Sequence, residues 1–337
     1  MKRLVISEKS NAAARVAVIL SDGGAKRKSV RGVQVFNFER DGDEYFVVGL
    51  RGHIIELDYP PELNDWSKVD PVDLVKTQPA KRVTALNILN TLSEIAAECE
   101  EVIIATDFDR EGELIGLETV SLLDKTPRSV RRVRFSALTK YEIERAFQEL
   151  TDPDHRLAES AETRQVVDLA WGAVLTRFIS LASGQMGNNF LSVGRVQSPT
   201  LTLIVDRHKE IVEFVPEPYW TVTAKMEKGQ EFFGNHIANP FKDEAKAEAV
   251  RKRADCGKGK VMGMERKEKD EYPPAPFNTT TMLSEANKLG LSPSLAMKVA
   301  EDLYTSGYIS YPRTDNTVYP RSLGLKNILE KLRKSDL

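Results

Sequence analysis

A tyrosine hydroxyl two residues ahead of an arginine can break a phosphodiester. The segment Gly307-Tyr308-Ile309-Ser310-Tyr311-Pro312-Arg313-Thr314-Asp315 presents that pair on a short apolar run that stops at a proline. A phenol attacks phosphorus once something helps it shed its proton, because free tyrosine titrates near ~10. The Arg313 guanidinium is suited to this, since it can bind the scissile phosphate and stabilise a phenolate. A tyrosine on a strand before a turn also serves simple packing, so the segment needs support from the rest of the chain.

Two acidic elements offer it. Glu8-Lys9 follows Leu4-Val5-Ile6-Ser7, and Asp107-Phe108-Asp109-Arg110-Glu111-Gly112-Glu113 follows Val102 to Thr106. Both sit where strands are expected to end, and open α/β sheets bind ligands outside the carboxyl ends of their strands. Alternating carboxylates leaving one strand can point the same way. Asp107, Asp109 and Glu111 are therefore candidate magnesium ligands, with Glu8 facing them from a neighbouring strand. The alternative is an acidic helix N-terminus, which accounts well for Glu111 and Glu113. Glu8-Lys9 alone reads equally as a surface ion pair.

These residues need elements to carry them. Residues 1–150 alternate strands and helices, with strands at Leu4–Ile6, Tyr45–Leu50 and Val102–Ala105 and helices at Asn11–Leu20, Glu113–Leu123 and Lys140–Leu150. The pattern predicts an α/β domain with a largely parallel sheet. Residues 151–215 read as helical, from Arg156 to Ser183 and from Pro199 to Val212, and Pro216-Glu217-Pro218 reads as a linker. Residues 216–272 read as β-rich, with strands at Tyr219–Ala224 and Lys260–Met264. After the linker Tyr272-Pro273-Pro274-Ala275-Pro276, residues 273–337 turn helical again. Thr279 or Thr280 is the expected cap of a helix through Leu289, and Ser292 to Ser306 forms a second helix leading into the tyrosine segment.

Bulk properties narrow the class. The 337 residues suffice for two or three domains. With 41% hydrophobic and 29% charged residues the chain reads as globular, and a net charge of -2 leaves any nucleic-acid surface to a local patch. Cys99 and Cys256 fit no zinc spacing and suit a reducing, intracellular setting. The N-terminal apolar run is too short for a signal peptide, and no stretch reads as a membrane span. Lys125, Arg128, Arg131, Arg132 and Arg134 form a basic run that is a candidate for DNA backbone contact; Arg251-Lys252-Arg253 with Lys258 and Lys260 forms another.

Taken together, these pieces resemble the type IA DNA topoisomerases. Ile6-Ser7-Glu8-Lys9-Ser10 and Ala105 to Glu113 look like the two acidic motifs of a Toprim domain. Arg51-Gly52-His53-Ile54 is similar to the family's glycine-histidine turn, and Ser192-Val193-Gly194-Arg195-Val196-Gln197-Ser198-Pro199-Thr200-Leu201 to its strand-binding helix entry. Pro274 to Thr280 is similar to the lead into the catalytic-tyrosine domain, and Gly307 to Asp315 to the active-site segment. The motifs occur in family order across nearly the whole chain. Lysine directly after the first glutamate, and Arg134-Phe135-Ser136-Ala137-Leu138-Thr139, resemble topoisomerase III and its archaeal relatives.

The resemblance implies a Toprim α/β domain over 1–150, the first part of a helical strand-binding domain over 151–215, the first part of a β-rich arch over 216–272, and the start of the catalytic domain over 273–337, together an incomplete toroid. Family chains are longer, so a fragment, a truncation or one half of a split protein is expected, with a C-terminal half or partner subunit to complete it. Tyr311 would attack single-stranded DNA to give a 5′-phosphotyrosyl bond and a free 3′-hydroxyl. Arg313 would contact the scissile phosphate, while Tyr308, the rival nucleophile, would pack in the core. Lys9 would serve as general acid or positioned cation, and Glu8 would share in proton transfer or metal binding. Asp107, Asp109 and Glu111 would hold Mg2+, unless Arg110 or Arg313 pairs with Asp109. Ser192, Val193, Gly194, Arg195, Val196 and Gln197 would bind the entering strand. Arg164, Asp168, Thr176 and Arg177 would supply groove contacts and fold-holding hydrogen bonds, and His53 either a site contact or a satisfied core histidine. His155, His208 and His236 form no cluster. The expected setting is cytoplasmic and nucleoid-associated, without a membrane. Two other readings stand beside this one: a module that holds single-stranded DNA without completing catalysis, and another Toprim protein such as a primase or nuclease, against which the tyrosine segment argues.

Overall fold

A computed structural model describes residues 1–125, 128–255, 257–319 and 325–334. Cys256 lies outside the described residues. In chain order the first elements are β1 (Lys2–Ser7), α1 (Ser10–Leu20), β2 (Lys26–Val30), β3 (Val33–Arg40), β4 (Asp43–Gly49), β5 (Ile55–Asp58), α2 (Pro71–Lys76), β6 (Ala80–Val83), α3 (Leu86–Ala96), β7 (Glu101–Ala105), α4 (Arg110–Ser121), β8 (Ser129–Arg132), α5 (Lys140–Gln148) and α6 (His155–Ala182). They are followed by α7 (Gln197–Val212), β9 (Thr223–Glu227), β10 (Glu231–Asn235), α8 (Glu244–Ala254), α9 (Thr279–Lys288), α10 (Pro293–Thr305) and α11 (Leu325–Arg333). The chain divides into two compact units, residues 1–197 with 275–337, and residues 198–274.

The first unit is built on a six-stranded sheet of order β2-β3-β4-β1-β7-β8. The central strands β4, β1, β7 and β8 run parallel, while β2 and β3 add an antiparallel edge. The sheet is therefore mixed. Apolar side chains alternate between its faces, as a period of two requires. Val5, Val47 and Ile103 pack with Val16 and Ala17 of α1, Ile143 of α5 and Tyr304 of α10. Leu4, Ile6, Val48 and Val102 pack on the other side with Ile88 and Leu92 of α3 and Ile115 of α4. With both faces covered, β1 and β7 each carry an uninterrupted apolar run, Leu4–Ile6 and Val102–Ala105. Fully burying each of these side chains contributes about 1.5–3 kcal/mol. A separate hairpin pairs β5 with β6, and α6 packs against α2 and α4.

Several expectations need correction. The tract β2, Lys26-Arg27-Lys28-Ser29-Val30, is polar and mostly exposed, so it carries no hydrophobic signal, yet it pairs along its whole length with β3. Asn278, not Thr279 or Thr280, caps α9, through a reciprocal capping box with Thr281. α6 contains an 18-residue window of mean hydropathy 1.2, long and apolar enough to span a membrane, although no such stretch was expected. That helix also carries Arg164, Asp168 and Arg177, each engaged in polar contacts within the unit.

The second unit holds α7, the antiparallel pair β9-β10 and α8. The expected strand at Tyr219–Ala224 begins only at Thr223, with Trp220 bridged to Phe241. Lys260–Met264 is not a strand, because no neighbouring backbone pairs with it among the described residues. α8, rich in Ala, Glu, Lys and Arg, is the helix that a β-rich reading of 216–272 overlooked; Asp243 caps it through the amides of Ala245 and Lys246.

Cys99 is buried at the start of β7, and burial pushes its thiol up to about 12. Mass-spectrometric mapping after alkylation of the native protein at pH 8 is expected to leave Cys99 unmodified, with full modification after denaturation.

Candidate active site

The site forms at the carboxyl ends of β1 and β7, adjacent parallel strands. Residues Asp107, Asp109 and Glu111 do not continue one strand. Asp107 lies just past β7, Asp109 is the N-cap of α4, and Glu111 is in that helix's first turn. The change from strand to helix rotates successive side chains to different sides, so the expected common direction is lost. The Asp109 carboxylate accepts from the Gly112 amide at 2.7 Å. A Cβ on Gly112 would stand 2.1 Å from the Asp107 carbonyl oxygen, so only glycine lets α4 start this close to the strand end.

Arg132 at the end of β8 fixes this turn. It is wholly buried and pairs with buried Glu113 at 2.8 Å. Its remaining donors reach the carbonyls of Ile104, Thr106, Asp107 and Val133. Glu113 in turn accepts from the Asp154 amide at 2.7 Å, which ties the start of α6 to α4. Arg132 is thus a structural residue and not a DNA contact of a basic run, and Glu113 is its counter-ion rather than a surface helix-dipole residue. Arg131 pairs with Asp152, and Lys125 donates to the Ala97 carbonyl.

Residues some two hundred positions later complete the site. Tyr304, buried on α10, donates its hydroxyl to Asp107 at 3.1 Å. Tyr311 donates to Asp109 at 2.6 Å, and the two rings meet edge to face at 5.2 Å. The tyrosine segment is anchored by the Tyr311 amide on the Ser136 carbonyl, and by Thr279, whose hydroxyl bonds the Pro312 carbonyl and accepts from the Thr314 amide. Gly307 turns the chain out of α10 at φ +80°, where a Cβ would lie 2.8 Å from the Leu138 carbonyl oxygen. Tyr308 is 79% exposed and does not pack in the core; Tyr304 fills that role.

The electrostatics differ from those expected of a preformed phenolate. Burial and the Asp109 hydrogen bond hold the Tyr311 hydroxyl well above its ordinary value. The Arg313 guanidinium is near enough to interact with the phenol, but its ion pair is with Glu301. The Lys9 ammonium lies 3.9 Å from Glu8, 3.9 Å from Asp107 and 3.6 Å from Glu301. Burial, with Asp107 and Asp109 adding to it, pushes the Glu8 carboxyl up to about 7. Burial likewise raises Asp107. Neither Arg110 nor Arg313 pairs with Asp109 among the described residues.

Glu111 stands apart from these carboxylates. It pairs with Arg164 at 3.3 Å and His53 at 3.5 Å and accepts from Gln165. His53 also faces Glu118 at 3.7 Å, which raises its pKa. No three His, Cys, Asp or Glu side chains among the described residues converge as a ready-made metal cage. A divalent cation still suits Glu8, Asp107 and Asp109: these oxygen donors are mutually repelling, and Lys9 is the one cation within ion-pair distance of Glu8 and Asp107 among the described residues.

The expected strand-binding residues lie beyond Glu111. Arg195 pairs through two nitrogens with Asp168, which Arg164 also approaches at 3.7 Å. Thr176 exchanges hydrogen bonds with the backbone of Val193, and Ser192 donates to Gln197. Gly194 follows that clamp, its open backbone facing the Gln197 side chain. Val196 precedes α7 and is 66% exposed. Arg177 is buried, bonds the Leu63 carbonyl and stacks over Trp66, so it holds the fold rather than a ligand. Tyr304 and Glu301 were not anticipated. Their signal was faint: a tyrosine and a glutamate three apart on an otherwise ordinary helix.

Arg132→Met is expected to cost about 3–5 kcal/mol, because it leaves Glu113 buried and unpaired; urea denaturation measures it. Gly112→Ala is expected to fold with a displaced Asp107–Asp109 turn, visible as lowered thermal stability and increased proteolysis near residue 108.

Comparison with known proteins agrees with this architecture. Residues 3–138 match the Toprim domain, and residues 152–337 match the DNA topoisomerase family. DNA topoisomerase 1 of Thermoplasma acidophilum is 43% identical over 99% of this chain and 43% of its own length. DNA topoisomerase 1 of Archaeoglobus fulgidus is 45% identical over 98% and 49%, and mouse DNA topoisomerase 3-beta-1 is 33% identical over 97% and 41%. The solved full-length topoisomerase I of Thermotoga maritima superposes with a TM-score of 0.69 at 25% identity, over 98% of this chain and 52% of that one. The chain thus spans about half the length of the relatives it matches. On its Toprim sheet, its tyrosine segment and these likenesses, the chain belongs to the type IA DNA topoisomerase family.

Proposed function

We propose that this chain carries the strand-cleaving centre of a type IA topoisomerase, acting on single-stranded DNA or single-stranded regions of duplex. The observation that carries the reading is the Tyr311 hydroxyl on Asp109 at 2.6 Å, beside Glu8, Lys9 and Asp107. A high-pKa phenol on a carboxylate calls for general-base attack rather than a standing phenolate. The Tyr311 oxygen bonds to phosphorus as Asp109 takes its proton, and the bond from phosphorus to the 3′-oxygen breaks. Glu8, protonated in part near neutral pH, donates the proton that the leaving 3′-oxygen needs, and Lys9 holds the developing charge. Rejoining is the reverse: the 3′-hydroxyl attacks phosphorus as Glu8 takes back its proton, the bond from phosphorus to Tyr311 breaks, and the phenol recovers its proton from Asp109.

Arg313 reaches the phosphate by exchanging Glu301 for it, a swap between two oxyanion partners of one planar fork. Glu8, Asp107 and Asp109 would hold the divalent ion, and magnesium fits their hard oxygens. When bound, that ion supplies positive charge for the phosphate and for the strand end awaiting rejoining. Arg195, Asp168, Arg164 and Gln197 would guide the strand toward the site. The family's relaxation or decatenation of DNA is the activity we assign to the whole protein, in a reducing, DNA-containing compartment such as the cytoplasm.

Covalent capture tests this directly. The chain is mixed with oligonucleotide labelled at one end and quenched with denaturant. Protein-bound label is expected from the 3′-labelled strand alone and is expected to vanish in Tyr311→Phe. Asp109→Asn is expected to slow adduct formation about 10²–10⁴-fold. Chelation of divalent ions, or Asp107→Asn, is expected to impair rejoining, read as adduct that persists after a high-salt chase. Label carried from the 5′-labelled strand would contradict the polarity.

A further inference from the structure

A cavity of about 610 Å³ opens beside Phe108 and Tyr311. Tyr311, Ser310 and Arg313 line it together with Phe108, Arg134, Ser136 and Glu142. Phe277 and Tyr319 also line it, and both are exposed. The Arg134 guanidinium lies over the Phe108 ring at 5.4 Å. Arg134 makes no ion pair among the described residues, and its Nε is buried without a hydrogen-bond partner. Within the lining, Glu142 accepts from the Ser136 hydroxyl and pairs with Arg145.

We propose that this cavity seats the nucleotide on the 3′ side of the cleaved phosphodiester, the one left joined to Tyr311. The proposal rests on Tyr311 being the nucleophile. In an in-line displacement the leaving 3′-oxygen departs opposite the attacking phenol, so it goes toward Glu8 and Lys9. The phosphorus stays with Tyr311 and carries its 5′-linked nucleoside, and the cavity that Tyr311 lines lies next to it. The chemistry of the walls suits this occupant. Phe108 offers a flat face for a base, and Arg134 a stacked plane with unclaimed charge for the next phosphate. Glu142 and Ser136 in the lining can meet the polar edge of a base.

The test is an oligonucleotide with one 3′-bridging sulfur, whose easily expelled thiolate fixes which linkage is cut. It carries 2-aminopurine on either the 3′ or the 5′ side of that linkage. Adduct formation and fluorescence are read together. Stacking is expected to quench the 3′-side probe in the complex. Phe108→Ala and Arg134→Ala are expected to remove that quench and weaken binding about tenfold, whereas Phe108→Tyr retains both. Adduct without 3′-side quenching, or quenching confined to the 5′-side probe, would overturn the cavity assignment and leave Tyr311 as nucleophile. Absence of adduct would overturn the Tyr311 reading itself, and the assignment with it.

Discussion

The buried pair of Arg132 and Glu113 is the constraint on which the site depends. A guanidinium with no solvent contact is tolerable only when its charge and donors are met. Here one carboxylate and four backbone carbonyls meet them, and three of those carbonyls belong to β7 and the turn that follows it. The strand end cannot shift without stranding that charge. Asp107 and Asp109 therefore leave the sheet along a fixed path, and Gly112 allows α4 to begin within the same few ångströms.

A rigid acidic turn then receives a distant segment. Tyr304 and Tyr311 each place a hydroxyl on one of its carboxylates, so residues about two hundred apart in sequence are registered by two hydrogen bonds. Glu301 adds a third tie, since it holds both Lys9 and Arg313. The arrangement keeps the phenol protonated and its base in place. It also holds the Arg313 guanidinium on the Glu301 carboxylate, so these charged groups are ordered around the turn.

Much of this was legible in the sequence where the signal was local. Strands β1, β4 and β7 are short apolar runs because both sheet faces are covered, and Glu8, Asp107 and Asp109 fall at their ends. Signals that depend on distant partners were not legible. β2 is polar and is a strand only because β3 pairs with it. Lys260–Met264 has a strand's composition but no neighbour to pair with among the described residues. Arg132 looks like any member of a basic run until burial is known, and Tyr304 looks like any helical tyrosine until Asp107 is beside it. The expected grouping of Glu111 with the other carboxylates failed for a geometric reason: the chain becomes helical at Arg110, which turns residue 111 toward Arg164 and His53.

The central claim is that the acidic turn selects Tyr311, and not its exposed neighbour Tyr308, as the nucleophile. Peptide mapping by mass spectrometry of the protein–oligonucleotide adduct tests it most directly. A nucleotide-modified peptide with the mass shift localised to Tyr311 is the expected result. Modification at Tyr308, or at Tyr304, would contradict the account.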